Sequence, residues 1–308
     1  METNKLTGYV LGALGAASYG LNPLFALPLY SDGMDADSVL FFRYSFGILL
    51  VASMIIVRGR SFKAKPRHLA MFVVLGLLMA LSSETLFESY NYMDAGIAST
   101  ILFIYPILVA LTMALFFKEK LKPLTIVCLA VSFIGIMLLY HKSDGSSLSL
   151  VGVGLVVASA LSYALYIVGV NKGGLANVAT LTVTFYVLVV GTIFFFVRLH
   201  GCTQITVPNH WPLWGNLLAL GLLPTVMSFL CTTAAIKIIG STQASILGSL
   251  EPVTALVVGV TVFGEVLTPR DYFGLVLILL AVTAVIAGDK VGQEFIKVRK
   301  LFPRIRRK

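Results

Sequence analysis

The sequence predicts an all-α polytopic membrane protein, with ten transmembrane helices arranged as two inverted five-helix repeats. Three observations carry this expectation. Of the 308 residues, 58% are hydrophobic and only 12% charged, about half the charged share of an ordinary soluble domain. The apolar residues fall in runs of about 20, enough for a helix to cross a hydrocarbon core of about 30 Å. Landmarks of the first half recur in the second at a spacing of 146 residues.

In chain order the apolar runs place spans near 6–30, 36–57, 68–92, 95–117, 122–140, 148–170, 178–199, 213–239, 242–263 and 270–288. Helices satisfy every backbone polar group without water, and the dyad alternation of a membrane barrel is missing from these runs. The first run is too long for a signal-peptide core and is expected to stay attached. With the N-terminus in the cytoplasm, inner segments hold 19 Lys and Arg, against Lys142, Arg198 and Arg270 outside. That asymmetry places both termini in the cytoplasm, in a plasma or bacterial inner membrane. Trp211 and Trp214 then fall in the outer aromatic belt.

The net charge of +9 is a topology signal spread over short links and a basic tail, so no nucleic-acid partner is expected. The tail alternates Val291, Phe295, Val298, Phe302 and Ile305 with basic residues, a pattern that lies on an anionic leaflet. Cys128, Cys202 and Cys231 have no metal-ligand spacing, and neither a metal nor another cofactor is expected. Catalytic motifs such as HExxH or GxSxG do not occur, so an enzyme is not expected.

Sliding the second half over the first sets Tyr105-Pro106 on Glu251-Pro252, Glu119 on Glu265, Leu121 on Leu267, Pro123 on Pro269, Ala98-Ser99 on Ala244-Ser245 and Ser82 on Ser228. At a slightly smaller offset Ser18-Tyr19 falls on Ser162-Tyr163. Five spans per half is an odd number, so the halves, 1–143 and 144–289, cross in opposite directions ahead of a tail at 290–308. Many secondary transporters have this construction.

The pattern Pro106, Glu119, Leu121, Gly135 in the first half and Pro252, Glu265, Leu267, Gly274 in the second resembles the EamA-type module of the drug/metabolite transporter superfamily. Cys128 stands opposite Gly274 and Ala281 opposite Gly135, both small replacements. The resemblance implies an inverted-repeat transporter of small metabolites, commonly an exporter, whose central cavity is lined largely by spans 3, 4, 8 and 9. It implies no particular substrate.

Four ionisable residues lie well inside the spans: Arg43, Glu84, Glu88 and Glu251. An Arg or Asp at a helix centre costs about 2.5–3.5 kcal/mol by insertion scales, so each calls for a partner or a function. Arg43 and Glu84 sit at matching depth, roughly 10–12 Å below the outer surface, where they can pair as a substrate or gate pair or as a structural tie. Glu84, Glu88 and Asn91 share one helical face by their i, i+4, i+7 spacing, with Glu88 near interfacial water. Glu251 lies near the midplane with no basic residue in its own span. A carboxyl there suits a proton carrier or the counter-charge of an amine-bearing substrate.

Pro106 and Pro252 interrupt corresponding spans and are expected to free the carbonyls of Leu102 and Gly248. Paired interruptions are the strongest sequence pointer to a transport site. Pro23 and Pro224 read as hinges. Tyr19, Asn22, Tyr105, Tyr163, Tyr166, Ser228, Thr232, Gln243 and Ser245 complete a candidate lining at similar depth. The expected function is alternating-access transport of a small amphipathic molecule such as an amino acid or related amine, as a monomer or homodimer in the lipid bilayer, with proton coupling through Glu251 a compatible mechanism. Uptake or exchange of a purine or nucleotide-sugar-like metabolite, and a non-transporting receptor or scaffold, stay open at this point.

Overall fold

The computed structural model describes residues 2–93, 95–139, 149–263, 268–270 and 272–285. Every regular element among them is helical: α1 (Glu2–Tyr19), α2 (Asn22–Ser31), α3 (Ala36–Val57), α4 (Pro66–Ser89), α5 (Ala95–Leu102), α6 (Tyr105–Phe117), α7 (Pro123–Leu139), α8 (Leu150–Lys172), α9 (Thr180–Arg198), α10 (Leu213–Leu220), a π-helical turn (Gly221–Met227), α11 (Ser228–Ile239), α12 (Ser241–Leu247), α13 (Leu250–Phe263) and α14 (Tyr272–Val285). The basic tail at 290–308 and the link holding Lys142 lie outside the described residues.

Seven stretches among the described residues are long and apolar enough to cross a membrane, and α6, α7 and α14 are shorter apolar helices. Local chemistry sets their ends. The Asp35 carboxylate accepts the Ser38 backbone N–H at 3.0 Å where α3 begins, and Ser149 accepts that of Gly152 at 3.3 Å where α8 begins, each satisfying a donor that the first helical turn leaves free. Proline opens α4, where its missing N–H costs nothing. Gly240, at φ 89°, makes the turn from α11 into α12, a conformation side chains rarely adopt. The third span ends at Ser89 instead of continuing to residue 92, because Tyr92 and Met93 donate back to the Ser89 carbonyl and close a turn.

Large apolar side chains cover the outside, among them Leu49, Val57, Leu115, Phe116 and Val197, as a lipid-facing surface requires. Inside, α4 packs on α8, α1 on α11, and α3 on α9. Glycines set the close crossings: Gly8 faces Ile238 and Ile239, Gly12 faces Leu247, and Gly15 lies against Thr232 and the Ser228 carbonyl. This N-terminal glycine stripe therefore packs within the bundle. The segment after α9 is strapped to the α2–α3 link and the start of α3. Asn209 donates its backbone N–H to Asp32 at 2.7 Å, and Thr206 donates its own to Ser38 at 2.9 Å.

Helix breaks fall at corresponding places in the two halves. The apolar run at 95–117 is interrupted at 103–104 between α5 and α6, and that at 242–263 at 248–249 between α12 and α13. Pro106 and Pro252 thus occupy first turns of half-helices.

Candidate functional site

The helix breaks open a cavity in the middle of the bundle. Gly12, Gly15, Ala16 and Tyr19 of α1, Tyr105 of α6, Tyr163 and Ile167 of α8, Thr232 of α11, Ala244 of α12, Gly248 in the break and Glu251 of α13 line it, around a narrow space of ≈ 10 Å³, about the room of one water molecule. In the expected span order these are 1, 4, 6, 8 and 9: this cavity draws on spans 4, 8 and 9 of the expected lining and on spans 1 and 6 besides, and none of its described lining residues comes from span 3. The reason is the packing, since α1 crosses α11 and α8 crosses both α4 and α6, which brings α1 and α8 to the centre.

The walls are largely aromatic. Tyr19 stacks parallel to Tyr163 with centroids 6.1 Å apart, Tyr163 stacks on Tyr166 at 6.2 Å, and Tyr105 meets Tyr163 edge-on at 4.8 Å. Tyr105 donates its hydroxyl to the Ser245 carbonyl at 3.3 Å, and its ring end fills the space a side chain at position 248 would need. The freed Gly248 carbonyl accepts the Glu251 backbone N–H at 2.9 Å, so the turn into α13 takes it up. Tyr166 bonds Thr233 at 3.3 Å, behind the lining.

Glu251 is 8% exposed and lines the cavity with no Lys or Arg beside it in the wall. Gly20 packs against the Glu251 backbone carbonyl, which fixes the end of α1 on the start of α13. Asn22, three residues after Tyr19, is buried, and neither its amide nitrogen nor its amide oxygen has a hydrogen-bond partner among the described residues.

Arg43 does not pair with Glu84. Fully buried, it donates Nε to Thr225 Oγ1 at 2.6 Å and Nη2 to the Pro224 carbonyl at 3.3 Å, and its guanidinium lies 5.7 Å from the Tyr19 ring and 5.3 Å from that of Phe87. Its Nη1 makes no hydrogen bond among the described residues. Proline explains the receptor for this cation. Pro224 cannot donate to the preceding turn, and the Thr225 hydroxyl reaches back to the Leu220 carbonyl at 2.7 Å, leaving its own oxygen for Arg43.

Glu84 instead meets Arg198 Nη2 at 2.8 Å, and Arg198 grips Asp37 through Nε and Nη2 at 2.8–3.1 Å. Helix face decides the partner. Arg43 looks toward the π-helical turn that α3 packs against, and α9, packed on both α3 and α4, delivers Arg198 to Glu84. Glu88 is half-buried and accepts from Asn91 at 3.3 Å; with Glu84 they form a cluster apart from the cavity. Ser228 is buried at the α1–α11 crossing and Gln243 half-buried on α12, neither in the cavity wall. Pro23 lies in the first turn of α2, just after the α1 break. Among the described residues no group of three or more His, Cys, Asp or Glu is placed to hold a metal ion.

The sequence matches the EamA-like transporter family twice, over residues 6–141 and 150–287. An uncharacterized transporter of Clostridium kluyveri is 23% identical over 314 residues, spanning 94% of this chain and 96% of that protein. The uncharacterized transporter YvbV of Bacillus subtilis is 27% identical over 224 residues, spanning 70% of this chain and 72% of its own. A crystal structure of a protein 17% identical in sequence superposes with a TM-score of 0.75 over 90% of this chain and 95% of that one, a likeness of fold.

Proposed function

This chain belongs to the EamA-like transporter family, and from that premise we propose that it is a secondary transporter exporting a small amphipathic, amino-bearing metabolite by alternating access through the Tyr19–Tyr163 cavity. Ten spans form two five-helix repeats, 1–143 and 144–289, of opposite orientation in a bacterial inner membrane, with both termini and the basic tail in the cytoplasm. The matching helix breaks at 103–104 and 248–249 support the repeat. So does the packing: α4 on α8 has its counterpart in α11 on α1.

The observation that carries the reading is the Glu251 carboxyl, buried in a wall of tyrosines with no basic side chain beside it. A negative charge and aromatic faces both favour a cation, and the tyrosine rings each contribute about 0.5–2 kcal/mol to holding one. Between substrates the same carboxyl can take a proton, which couples export to the proton gradient.

The test is flux in vesicles reconstituted with purified protein, loaded with labelled amino acids, amines and purines under an imposed pH gradient. Wild type should move an amino-bearing solute, and Glu251→Gln should lose at least about tenfold of that rate, the worth of one charge-assisted contact. Unchanged rate and unchanged gradient dependence in Glu251→Gln would remove Glu251 from the mechanism. Absence of flux for every solute would end the transport reading.

A further inference from the structure

We propose that the link between α3 and α4 is a docking surface for anionic phospholipid, whose phosphate headgroup sits against a row of five cations while its acyl chains lie along the two helices. The surface is separate from the cavity, and its use does not depend on which solute crosses.

Arg58, Arg60, Lys63, Lys65 and Arg67 fall within ten residues, and all are exposed. The elements around them supply no counter-charge. No Asp or Glu occurs between 38 and 83, and none between 145 and 250, the stretch that holds α8 and α9, both of which pack on α4. None of the five cations has an ion-pair partner among the described residues; Arg67 donates Nε to a ring nitrogen of His68 at 3.2 Å. Like charges gathered this closely repel one another, and a bound anion relieves the repulsion.

Two features make this a built surface. The first is its fixed shape. Residues 60–65 run without helix or turn, with Phe62 and Ala64 half-buried against the core while Ser61, Lys63 and Lys65 stay exposed. The Tyr186 hydroxyl of α9 donates to the Phe62 carbonyl at 2.9 Å, and the Phe62 ring meets Phe185 edge-on at 5.0 Å. Tyr186 in turn stacks on Phe72 of α4 at 4.8 Å. Lys63 and Lys65 are thereby held about 6–7 Å apart at strand-like rise, close enough for both ammonium groups to reach one phosphate. Little backbone freedom is lost when a headgroup binds.

The second feature is height. Ile56 and Val57, at the end of α3, are 67% and 86% exposed, and Leu69 and Val73 on the first turns of α4 are 45% and 47% exposed. On membrane-spanning helices such side chains face hydrocarbon, so the cations between them stand where headgroups begin. A nucleic acid or acidic peptide would match the charge and leave the apolar flanks uncovered. A phospholipid with net negative charge matches both.

The experiment titrates purified full-length protein in neutral detergent micelles with phosphatidylglycerol or with phosphatidylcholine of the same acyl chains, and counts bound lipid by native mass spectrometry. Wild type should prefer phosphatidylglycerol by at least about thirtyfold, and Lys63→Gln/Lys65→Gln should lose roughly tenfold to thirtyfold of that, about fivefold for each cation. Both side chains are exposed, so the variant should keep the wild-type elution profile. Lys118→Gln/Lys120→Gln removes the same charge elsewhere and should lose less than about twofold. Raising the ionic strength from about 0.1 to 0.5 M should weaken the wild-type preference, and glycerol 3-phosphate should not displace the lipid. An unchanged preference in Lys63→Gln/Lys65→Gln, an equal loss in the control pair, or a wild-type preference indifferent to salt overturns the docking surface. Displacement by glycerol 3-phosphate as effective as by phosphatidylglycerol overturns it too, since the ligand would then be a soluble phosphate.

Discussion

Replacing Arg198 with alanine separates the two kinds of ion pair this guanidinium makes. One arm is bidentate to Asp37, with side-chain exposures of 47% and 20%; such an exposed pair contributes about 0.2–1 kcal/mol and is weakened by salt. A second contact, made by the same Nη2, reaches Glu84, whose side chain is 8% exposed and whose Oε2 has no partner among the described residues. Losing that contact leaves a buried carboxylate without a cation, a loss of about 1–3 kcal/mol. Arg198→Ala should therefore destabilise the protein by about 2 kcal/mol, most of it from Glu84. Unfolding in mixed micelles titrated with SDS measures the change. The double variant Arg198→Ala/Glu84→Gln should recover about half of it, because a neutral amide no longer needs the cation, and 0.5 M salt should shift the wild type by only a few tenths of a kcal/mol. If the double variant is as unstable as Arg198→Ala alone, the buried charge at Glu84 is not what Arg198 offsets, and the reasoning fails.

Gly248→Ala should cost about 1–3 kcal/mol by overpacking, since its Cβ would collide with the Tyr105 ring end; adding Tyr105→Leu should restore the unfolding midpoint, and no rescue would place the strain elsewhere. Topology is testable with a native thiol. In a background with Cys128 and Cys231 replaced by alanine, partly exposed Cys202 should react with a membrane-impermeant maleimide in intact cells. A cysteine introduced at Lys63, on the opposite side by charge count, should react only in inverted vesicles.

The helical runs were legible because lipid imposes one rule on every span, that apolar side chains face out and backbone groups bond internally. The paired breaks were legible for a related reason: Pro106 and Pro252 remove donors at the same register of two similar segments. Side-chain partners were not. Depth along a helix follows from counting residues at 1.5 Å each, but the facing neighbour depends on rotation and on which helices cross, and so Arg43 went to Thr225 while Glu84 went to Arg198. Arg198 itself was counted as a link residue. Its signal was faint, a single basic residue closing an otherwise apolar span opposite three aspartates. The cavity's use of α1 and α8 has its signal in the Tyr19–Tyr163 correspondence, which sets an aromatic at the same register of the first helix of each half.

That correspondence also bears on why the site lies where it does. Tyr19 and Tyr163 are counterparts in the repeat, and they stack on each other at the centre of the cavity with an interplanar angle of 8°. Four residues earlier in each half, Ser159 donates to the Ser82 carbonyl at 2.7 Å, and Gly15 lies against the carbonyl of Ser228, the counterpart of Ser82. Counterparts meeting counterparts is what the proposed two-fold axis through the cavity requires, and under the proposed inverted arrangement the inward and outward forms would be nearly equal in energy. Only a difference between the halves can then orient a substrate. At the register of the helix breaks that difference is Tyr105 against Glu251, an aromatic wall facing a carboxyl. Glu251→Tyr should thus symmetrise the wall. It should preserve folding if the tyrosine ring fits as Tyr105 does, and abolish selective flux; retained selectivity for amino-bearing solutes would show that the asymmetry resides elsewhere.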